Sequence, residues 1–187
     1  MSDASSLKNQ FLIAMPGLDD GLFDHSVTLM CEHNGDGALG LVINRPTDVR
    51  LATMLTHLEI AHEALKDTNA ILYWGGPVAP QRGFVIHDTT SAWESCLQLA
   101  DDLYITTSRD ILDAIGRGEG PAHYLVALGY AGWGAGQLDD EIRNNAWLNS
   151  PFDPALLFSR PPDERWRAAT ELLGFDARYL SSIAGHA

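Results

Sequence analysis

Short hydrophobic runs alternate along this chain with clusters of glycine, proline, asparagine and aspartate, a pattern that predicts many short strands. The runs Val27–His33 and Ala38–Ile43 flank Asn34–Gly37, where two of four residues are glycine, and this arrangement predicts a β-hairpin. A second hairpin is predicted around Ala100–Asp102. Strands are predicted at Phe11–Ala14, Val27–His33, Ala38–Ile43, Ala70–Trp74, Gly83–His87, Cys96–Leu99, Leu103–Thr106 and His123–Tyr130.

Helical periodicity appears between these groups of strands. Leu51, Met54, Leu55 and Leu58 recur with the spacing of one helix face, and we expect Thr47 or Asp48 to cap the first turn of their helix. Further helices are predicted from the capping-box sequence Thr107–Asp110 to Gly116, over Gln137–Asn144, from Asp153-Pro154 onward, and over Pro162–Leu173 before Gly174.

The order of these elements predicts an α+β fold. Strands arrive mostly as hairpins with helices between the groups, which favours a largely antiparallel sheet over alternating βαβ units. The length of 187 residues suits one domain. We therefore expect a flexible tail over residues 1–9 and a single domain over residues 10–187.

The net charge of the chain disfavours some classes of binding partner. The chain carries 25 acidic residues against 12 lysines and arginines, a net charge of −13, and the basic residues are scattered. Binding to nucleic acid or to an anionic membrane requires clustered basic residues, so both are disfavoured. The polar start lacks a secretory core, and no apolar run is long enough to span a membrane, so a cytoplasmic location is expected.

The glycine-rich stretch Gly129–Leu138 is the most distinctive candidate site, and it reads as a turn at a strand end. It lacks the third glycine of a dinucleotide fingerprint and the Lys-Ser/Thr of a P-loop, so it indicates neither cofactor. Two interpretations stay open: a corner that only glycine can form, or a small-ligand site flanked by aromatic rings. On the second interpretation the binding residues are Tyr130, Gly132, Trp133 and Gln137.

Asn44 and Arg45 form another candidate at the end of a predicted strand. The Arg45 guanidinium could bind a carboxylate or phosphate of a ligand through paired hydrogen bonds. The alternative is an internal salt bridge, which a chain this acidic forms easily.

Cysteine and histidine give only fragments of catalytic or metal sites. Cys31 and Cys96 are expected to be buried free thiols. Cys31 and His33 are two residues apart, which on a regular strand places both on one face as a nucleophile pair or half of a metal site. His87 and Asp88 could act as a base and an acid. No complete motif emerges, so no catalytic residue, metal ligand or cofactor is assigned.

Several sequence blocks together resemble the AlgH/YqgE family of bacterial proteins. The Gly-Tyr-Ala-Gly-Trp stretch from Gly129 to Trp133 resembles the family signature, and other blocks follow in the family's order. These blocks are Phe11–Pro16, Gly40–Pro46, Gly75–Pro77, Gly83–His87, Gly136–Leu138, Asn145–Leu148 and Ala184–Ala187. The resemblance implies a sheet curled into a partly open barrel-like core with helices outside, and a link to transcriptional control of exopolysaccharide production. It supplies no catalytic or ligand residues.

The leading functional hypothesis is a non-catalytic module that binds a small molecule or a protein, with regulation as one possible role. The alternative is a hydrolase or transferase whose site assembles from dispersed residues such as Cys31, His33, His87 and Arg45.

Overall fold

A computed structural model describes residues 6–16, 18, 21–89, 93–176 and 179. The strands are β1 (Gln10–Ala14), β2 (Val27–Asn34), β3 (Gly37–Val42), β4 (Pro46–Arg50), β5 (Ile71–Trp74), β6 (Val78–His87), β7 (Cys96–Ala100), β8 (Leu103–Thr106), β9 (Tyr124–Gly134) and β10 (Trp147–Pro151). The helices are α1 (Leu51–His57), α2 (Arg109–Gly116), α3 (Gln137–Arg143), α4 (Pro154–Phe158) and α5 (Arg165–Leu172), with a short 3-10 turn at Pro162–Glu164.

The strands form one mostly antiparallel sheet in the order β10-β1-β2-β3-β9-β6-β8-β7, with the β4–β5 pair joined to it. The sheet curls into a half-barrel with the helices packed around it, which confirms the predicted α+β class. Both predicted hairpins are confirmed as β2–β3 and β7–β8.

Strand β9 is where the sheet divides. Its first half pairs in parallel with β5, where Tyr73 lies opposite Ala127. Its second half pairs antiparallel with β3, where Gly37 lies opposite Gly134. Strand β9 therefore changes its pairing partner from β5 to β3 within a few residues around Gly129.

Three buried apolar clusters hold the layers together. The largest lies inside the curl, where α4 and α5 contribute Leu157 and Trp166. A second lies under α1 and α2. The third packs α3 and the β10 residue Trp147 against β1 and β2. Each helix therefore covers a defined part of the sheet.

The start of the first helix differs from the sequence prediction. Thr47 and Asp48, either of which was expected to cap the helix, instead lie in strand β4, and the helix begins at Leu51 without a side-chain cap. The Thr47 hydroxyl donates to the Leu72 carbonyl oxygen over 2.8 Å. Thr47 and Val49 are β-branched, and pairing with β5 outweighs the capping tendency of the Thr-Asp pair.

The predicted capping box at Thr107–Asp110 is also wrong. Ser108 occupies the cap position of α2 without a side-chain capping bond. The Asp110 carboxylate instead accepts the Glu94 N–H over 2.9 Å, and the Ser108 hydroxyl accepts the Ser95 N–H. Burial alone would raise the pKa of Asp110, but the bonds from Ser108, Glu94 and Ile111 outweigh it and lower that pKa. A long-range tie to the segment before β7 thus replaces the local cap.

Other helix and strand ends follow the sequence in part. The Asp153 carboxylate accepts the Ala155 N–H at 3.0 Å, which confirms the predicted cap of α4.

Strand β10 was not predicted, because its apolar and polar residues do not alternate clearly enough to indicate a strand. It forms the sheet edge beside β1.

The two chain ends are described in part. Within the predicted tail, Leu7 is buried and its N–H donates to His33 Nδ1 over 3.1 Å. Residues 1–5 and the Ala184–Ala187 block lie outside the described residues. No helix in the described ranges has the length and apolar content to cross a membrane.

Candidate functional site

A groove of about 740 Å³ lies between α1 and α2, with β6 and β9 as its floor. We call it the α1–α2 groove. Its floor is apolar because residues two apart on a strand share a face, as Gly83 and Val85 do. The apolar lining residues are Val49, Met54, Leu58, Leu72, Pro80, Val85, Leu112, Val126 and Leu128.

Polar groups gather at one side of the groove, where β8 passes into α2. Thr106, Thr107, Ser108 and Arg109 all line it there. The Arg109 guanidinium donates to the Leu58 carbonyl oxygen over 2.9 Å and lies 3.8 Å from Asp113. This bond ties the end of α1 to the start of α2 and places a cation at the groove's edge.

Beneath that polar side lies a buried histidine. His87 Nε2 is 2.8 Å from the Thr106 hydroxyl, and His87 Nδ1 is 3.0 Å from the Thr89 carbonyl oxygen. A carbonyl oxygen only accepts, so Nδ1 carries the proton and Nε2 accepts from Thr106. Burial lowers the pKa of His87, against the opposing effects of Thr89 and Asp88, and the ring stacks on Tyr104. The neutral imidazole thus orients a hydroxyl of the groove lining.

His87 should make stability depend on pH. Its folded pKa lies below the unfolded value, so the unfolded chain binds the extra proton first as pH falls. The stabilisation is complete above the unfolded pKa and is lost as pH falls through it toward the folded pKa. We expect urea denaturation to show a decline in unfolding free energy between about pH 7 and pH 5, and His87→Gln to flatten that slope.

The matched control is His57→Gln, which replaces an exposed histidine. It should leave the slope unchanged, and an equal flattening by both variants would remove His87 as its cause. The lowered carboxyl pKa values of Asp88 and Asp110 act only in more acidic solution, outside this window.

The predicted acid–base pair of His87 and Asp88 does not form. The two residues are adjacent on the chain and bond to different partners. The Asp88 carboxylate lies 2.6 Å from His123 Nδ1 and accepts the Thr89 hydroxyl over 2.8 Å. Burial tends to raise the pKa of Asp88, but the bonds from His123 and Thr89 lower it overall.

The predicted pairing of Cys31 with His33 is also wrong, because a β-bulge lies at Cys31. Register shifts between Met30 and Glu32, so Cys31 is the extra residue of β2. Cys31 packs inside the half-barrel, while His33 lies 3.5 Å from Asp139 of α3 on the other side. Burial raises the pKa of Cys31 far above its usual range and Glu32 adds to this, so the thiol stays protonated.

Asn44 and Arg45 lie together where β3 ends, in contact with the chain before β2. The Asn44 side chain accepts the Val27 N–H over 2.9 Å and donates to the His25 carbonyl oxygen over 2.8 Å. The Arg45 guanidinium donates to the Asp24 carbonyl oxygen. Both side chains hold neighbouring backbone, and a ligand contact by either stays a prediction.

The glycine-rich stretch is mainly strand rather than turn, since β9 continues to Gly134. Tyr130, Gly132 and Trp133 line a second groove of about 450 Å³, together with the acidic Glu32 and Asp36. The Trp133 ring faces inward and is 8% exposed, and the exposed Gln137 accepts the Gly134 N–H over 3.0 Å. The structure therefore brings four predicted residues to one region and places Asn44 and Arg45 elsewhere.

Glu141 of α3 organises that region. Its Oε2 accepts the indole N–H of Trp133 over 2.9 Å and that of Trp147 over 2.8 Å. Its Oε1 accepts the Gln137 amide over 3.0 Å. The sequence offers one local signal for this role, the four-residue spacing from Gln137 to Glu141 on a helix.

Within the described part of the chain, no group of three or more His, Cys, Asp and Glu residues could hold a metal ion. Sequence patterns did not predict the α1–α2 groove. Met54 and Leu58, predicted to share one helix face with Leu51 and Leu55, line this groove, and Met54 also packs against the buried cluster beneath α1 and α2.

Comparison with known proteins identifies the family. The AlgH-like family model (DUF179) matches residues 11–178. A UPF0301 protein of Thioalkalivibrio sulfidiphilus is 54% identical over 100% of both chains. One of Methylococcus capsulatus is 51% identical over 99% of this chain and 98% of its own.

Two solved structures are similar to this chain in fold. The solution structure of the AlgH protein from Pseudomonas aeruginosa is 47% identical, with a TM-score of 0.79 over 100% of this chain and 99% of that one. A crystal structure of a Corynebacterium diphtheriae protein, 21% identical, shares the fold with a TM-score of 0.73 over 100% and 95% of the two chains. This chain belongs to the AlgH-like family.

Proposed function

We propose that this protein is a non-catalytic binding module whose α1–α2 groove holds a small, mainly apolar molecule with one anionic or hydrogen-bond-accepting end. The observation that carries the proposal is the groove itself, about 740 Å³ in volume and open between two helices. Sites for small organic ligands typically occupy a few hundred to about 1,000 Å³ and combine apolar walls with few polar groups.

The polarity of the ligand follows from the lining. Leu72, Val85 and Val126 would contact an apolar body along the floor. Thr107 offers a hydroxyl and Arg109 a cation at one side, so an acceptor or an anionic group belongs there. Binding between two helices that share the Arg109–Leu58 bond also gives a route to regulation, since a ligand could change how α1 and α2 sit together.

Gly83→Leu should block the groove without disturbing the fold. Gly83 lies on its floor, and a Cβ there would meet only Leu128 Cδ2, at an ordinary 3.9 Å. The added side chain would fill space that a ligand needs. With the fluorescent probe anilinonaphthalene sulfonate, which pairs an aromatic body with one anionic group, we expect binding to weaken by about tenfold or more.

Two controls make that experiment decisive. Gly35→Leu makes the same change in an exposed turn where a Cβ meets nothing within 4 Å, and it should leave probe affinity unchanged. Gly83→Ala fills less of the groove and should weaken binding less. Equal probe affinity in Gly83→Leu and the wild type, with both folded, would refute the groove as the site.

The alternative of a dispersed-residue enzyme gains little support from the described contacts. Cys31 is buried as a protonated thiol, and His87 is also buried. His33 accepts the Leu7 N–H and lies 3.5 Å from Asp139, and Arg45 donates to the Asp24 backbone carbonyl oxygen. We also infer that the protein acts in the cytoplasm on protein or small-molecule partners rather than nucleic acid. Both cysteines are free, which suits a reducing compartment, and the charge is strongly acidic.

A further inference from the structure

The buried side chain of Arg165 points to a second site. Arg165 opens α5 and is 4% exposed, which is rare for a charged residue unless it is paired. Among the described residues, no carboxylate forms an ion pair with it. This is unexpected in a chain whose 25 acidic residues outnumber its 12 basic ones.

Backbone carbonyls satisfy only part of the guanidinium. Nε donates to the Arg160 carbonyl oxygen over 3.0 Å, and one terminal nitrogen donates to the Ile43 carbonyl oxygen. The Tyr73 hydroxyl oxygen accepts a third bond, and because a guanidinium carries five N–H groups, donors remain after these three. The charge itself also persists: burial lowers the pKa of Arg165, the electrostatic interaction and hydrogen bond with Tyr73 offset this in part, and arginine stays protonated in proteins.

Arg165 also lines a cavity of about 230 Å³ beside the parallel β5–β9 pair. Arg165, Tyr73, Tyr124 and Asn69 line it, and the Arg165 guanidinium carbon lies 5.2 Å from the centre of the Tyr73 ring. Burial raises the pKa of Tyr124, and the Asp67 charge raises it further, so its phenol keeps a proton to donate. The cavity thus combines a cation with neutral donors.

We propose that this cavity binds a small carboxylate, with its oxygens on the Arg165 guanidinium and the Tyr124 hydroxyl. A planar guanidinium matches the geometry of a carboxylate. Asp67, an exposed acid, also lines the cavity and opposes a second negative charge, so a singly charged anion fits better than phosphate. Glu164, the nearest acid in sequence, faces solvent and pairs with Arg160 over 3.7 Å.

Sodium acetate can test the site directly. Acetate replaces sodium chloride at constant ionic strength, and the Arg165 Nε–H resonance is followed by NMR. We expect a saturable shift in the wild type. Tyr124→Phe should weaken acetate binding by roughly three- to tenfold, because it removes one donor and keeps the ring. Tyr104→Phe, whose hydroxyl bonds Gln98 elsewhere, should leave binding unchanged.

A charge variant separates this proposal from an internal explanation. Asp67→Asn should tighten acetate binding, because it removes the opposing charge. If Asp67 were instead the distant counter-ion of Arg165, the variant would be less stable and would not bind acetate more tightly, which would overturn the proposal. A shift that never saturates, or that is identical in Tyr124→Phe and the wild type, would overturn it as well.

Discussion

Replacing Gly129 with alanine is expected to lower the unfolding free energy by about 4 kcal/mol or more, enough to prevent folding in many domains. A Cβ at this position would lie 2.3 Å from the Gly76 carbonyl oxygen and 3.1 Å from that of Val78. Both atoms belong to backbone and cannot move aside. The φ of +75° adds strain for any residue with a side chain.

The matched control is Gly132→Ala, three residues further along β9. A Cβ there would meet its nearest atom, Tyr130 Cε2, at an ordinary 3.5 Å. We expect this variant to cost much less, of the order of 1 kcal/mol or below. Urea denaturation of both proteins measures the difference, and equal losses would contradict the close backbone approach at Gly129.

The second large effect is expected from Glu141→Ala, with a loss of about 3 kcal/mol. This carboxylate accepts two indole N–H groups, and Trp133 and Trp147 are only 8% and 3% exposed. Leaving a buried donor unsatisfied costs about 1–3 kcal/mol, and here two donors lose their partner. Urea denaturation followed by tryptophan fluorescence would report both stability and the environment of the two rings.

Asp140→Ala provides the comparison for Glu141. Asp140 is the preceding residue of α3, and its ion pair with Arg143 is exposed to solvent. Exposed pairs contribute about 0–1 kcal/mol, so this loss should be small. If both variants lost the same stability, Glu141 would not be the residue that secures α3 to the sheet.

The close backbone contact at Gly129 changes how the glycine-rich stretch is interpreted. Gly129, Gly75 and Gly76 let two backbone segments approach more closely than any side chain allows, at the point where β9 passes from β5 to β3. The stretch therefore has a structural requirement that explains its first glycine. No bound ligand is needed to explain Gly129, so we favour the α1–α2 groove over the glycine-rich stretch as the binding site.

Local signals in the sequence predict the hairpins well. Turn residues between two apolar runs fix β2–β3, and the cap at Asp153 depends on atoms two residues apart. Pairing across the sheet overrides such signals elsewhere. Strand β4 replaces a helix start because β5 lies beside it. The Ser108 hydroxyl accepts the N–H of Ser95, thirteen residues away, rather than a backbone N–H of its own helix.

The candidate site is harder to predict from the sequence, because its residues come from segments that are far apart in the chain. Met54, Gly83, Arg109 and Val126 meet only after the strand order of the sheet is set. His87 and Thr106 are nineteen residues apart and pair because β6 lies beside β8. The bulge at Cys31 also escapes prediction, and it reverses which residues share a face of β2.

Methyl-group NMR with anilinonaphthalene sulfonate would test groove binding most directly. We expect a saturable set of shifts at Met54, Leu112 and Val126 that disappears in Gly83→Leu and persists in Gly35→Leu. Shifts confined to exposed apolar side chains outside the groove, such as Leu22, Leu97 and Leu172, would contradict the proposal that the groove is the binding site.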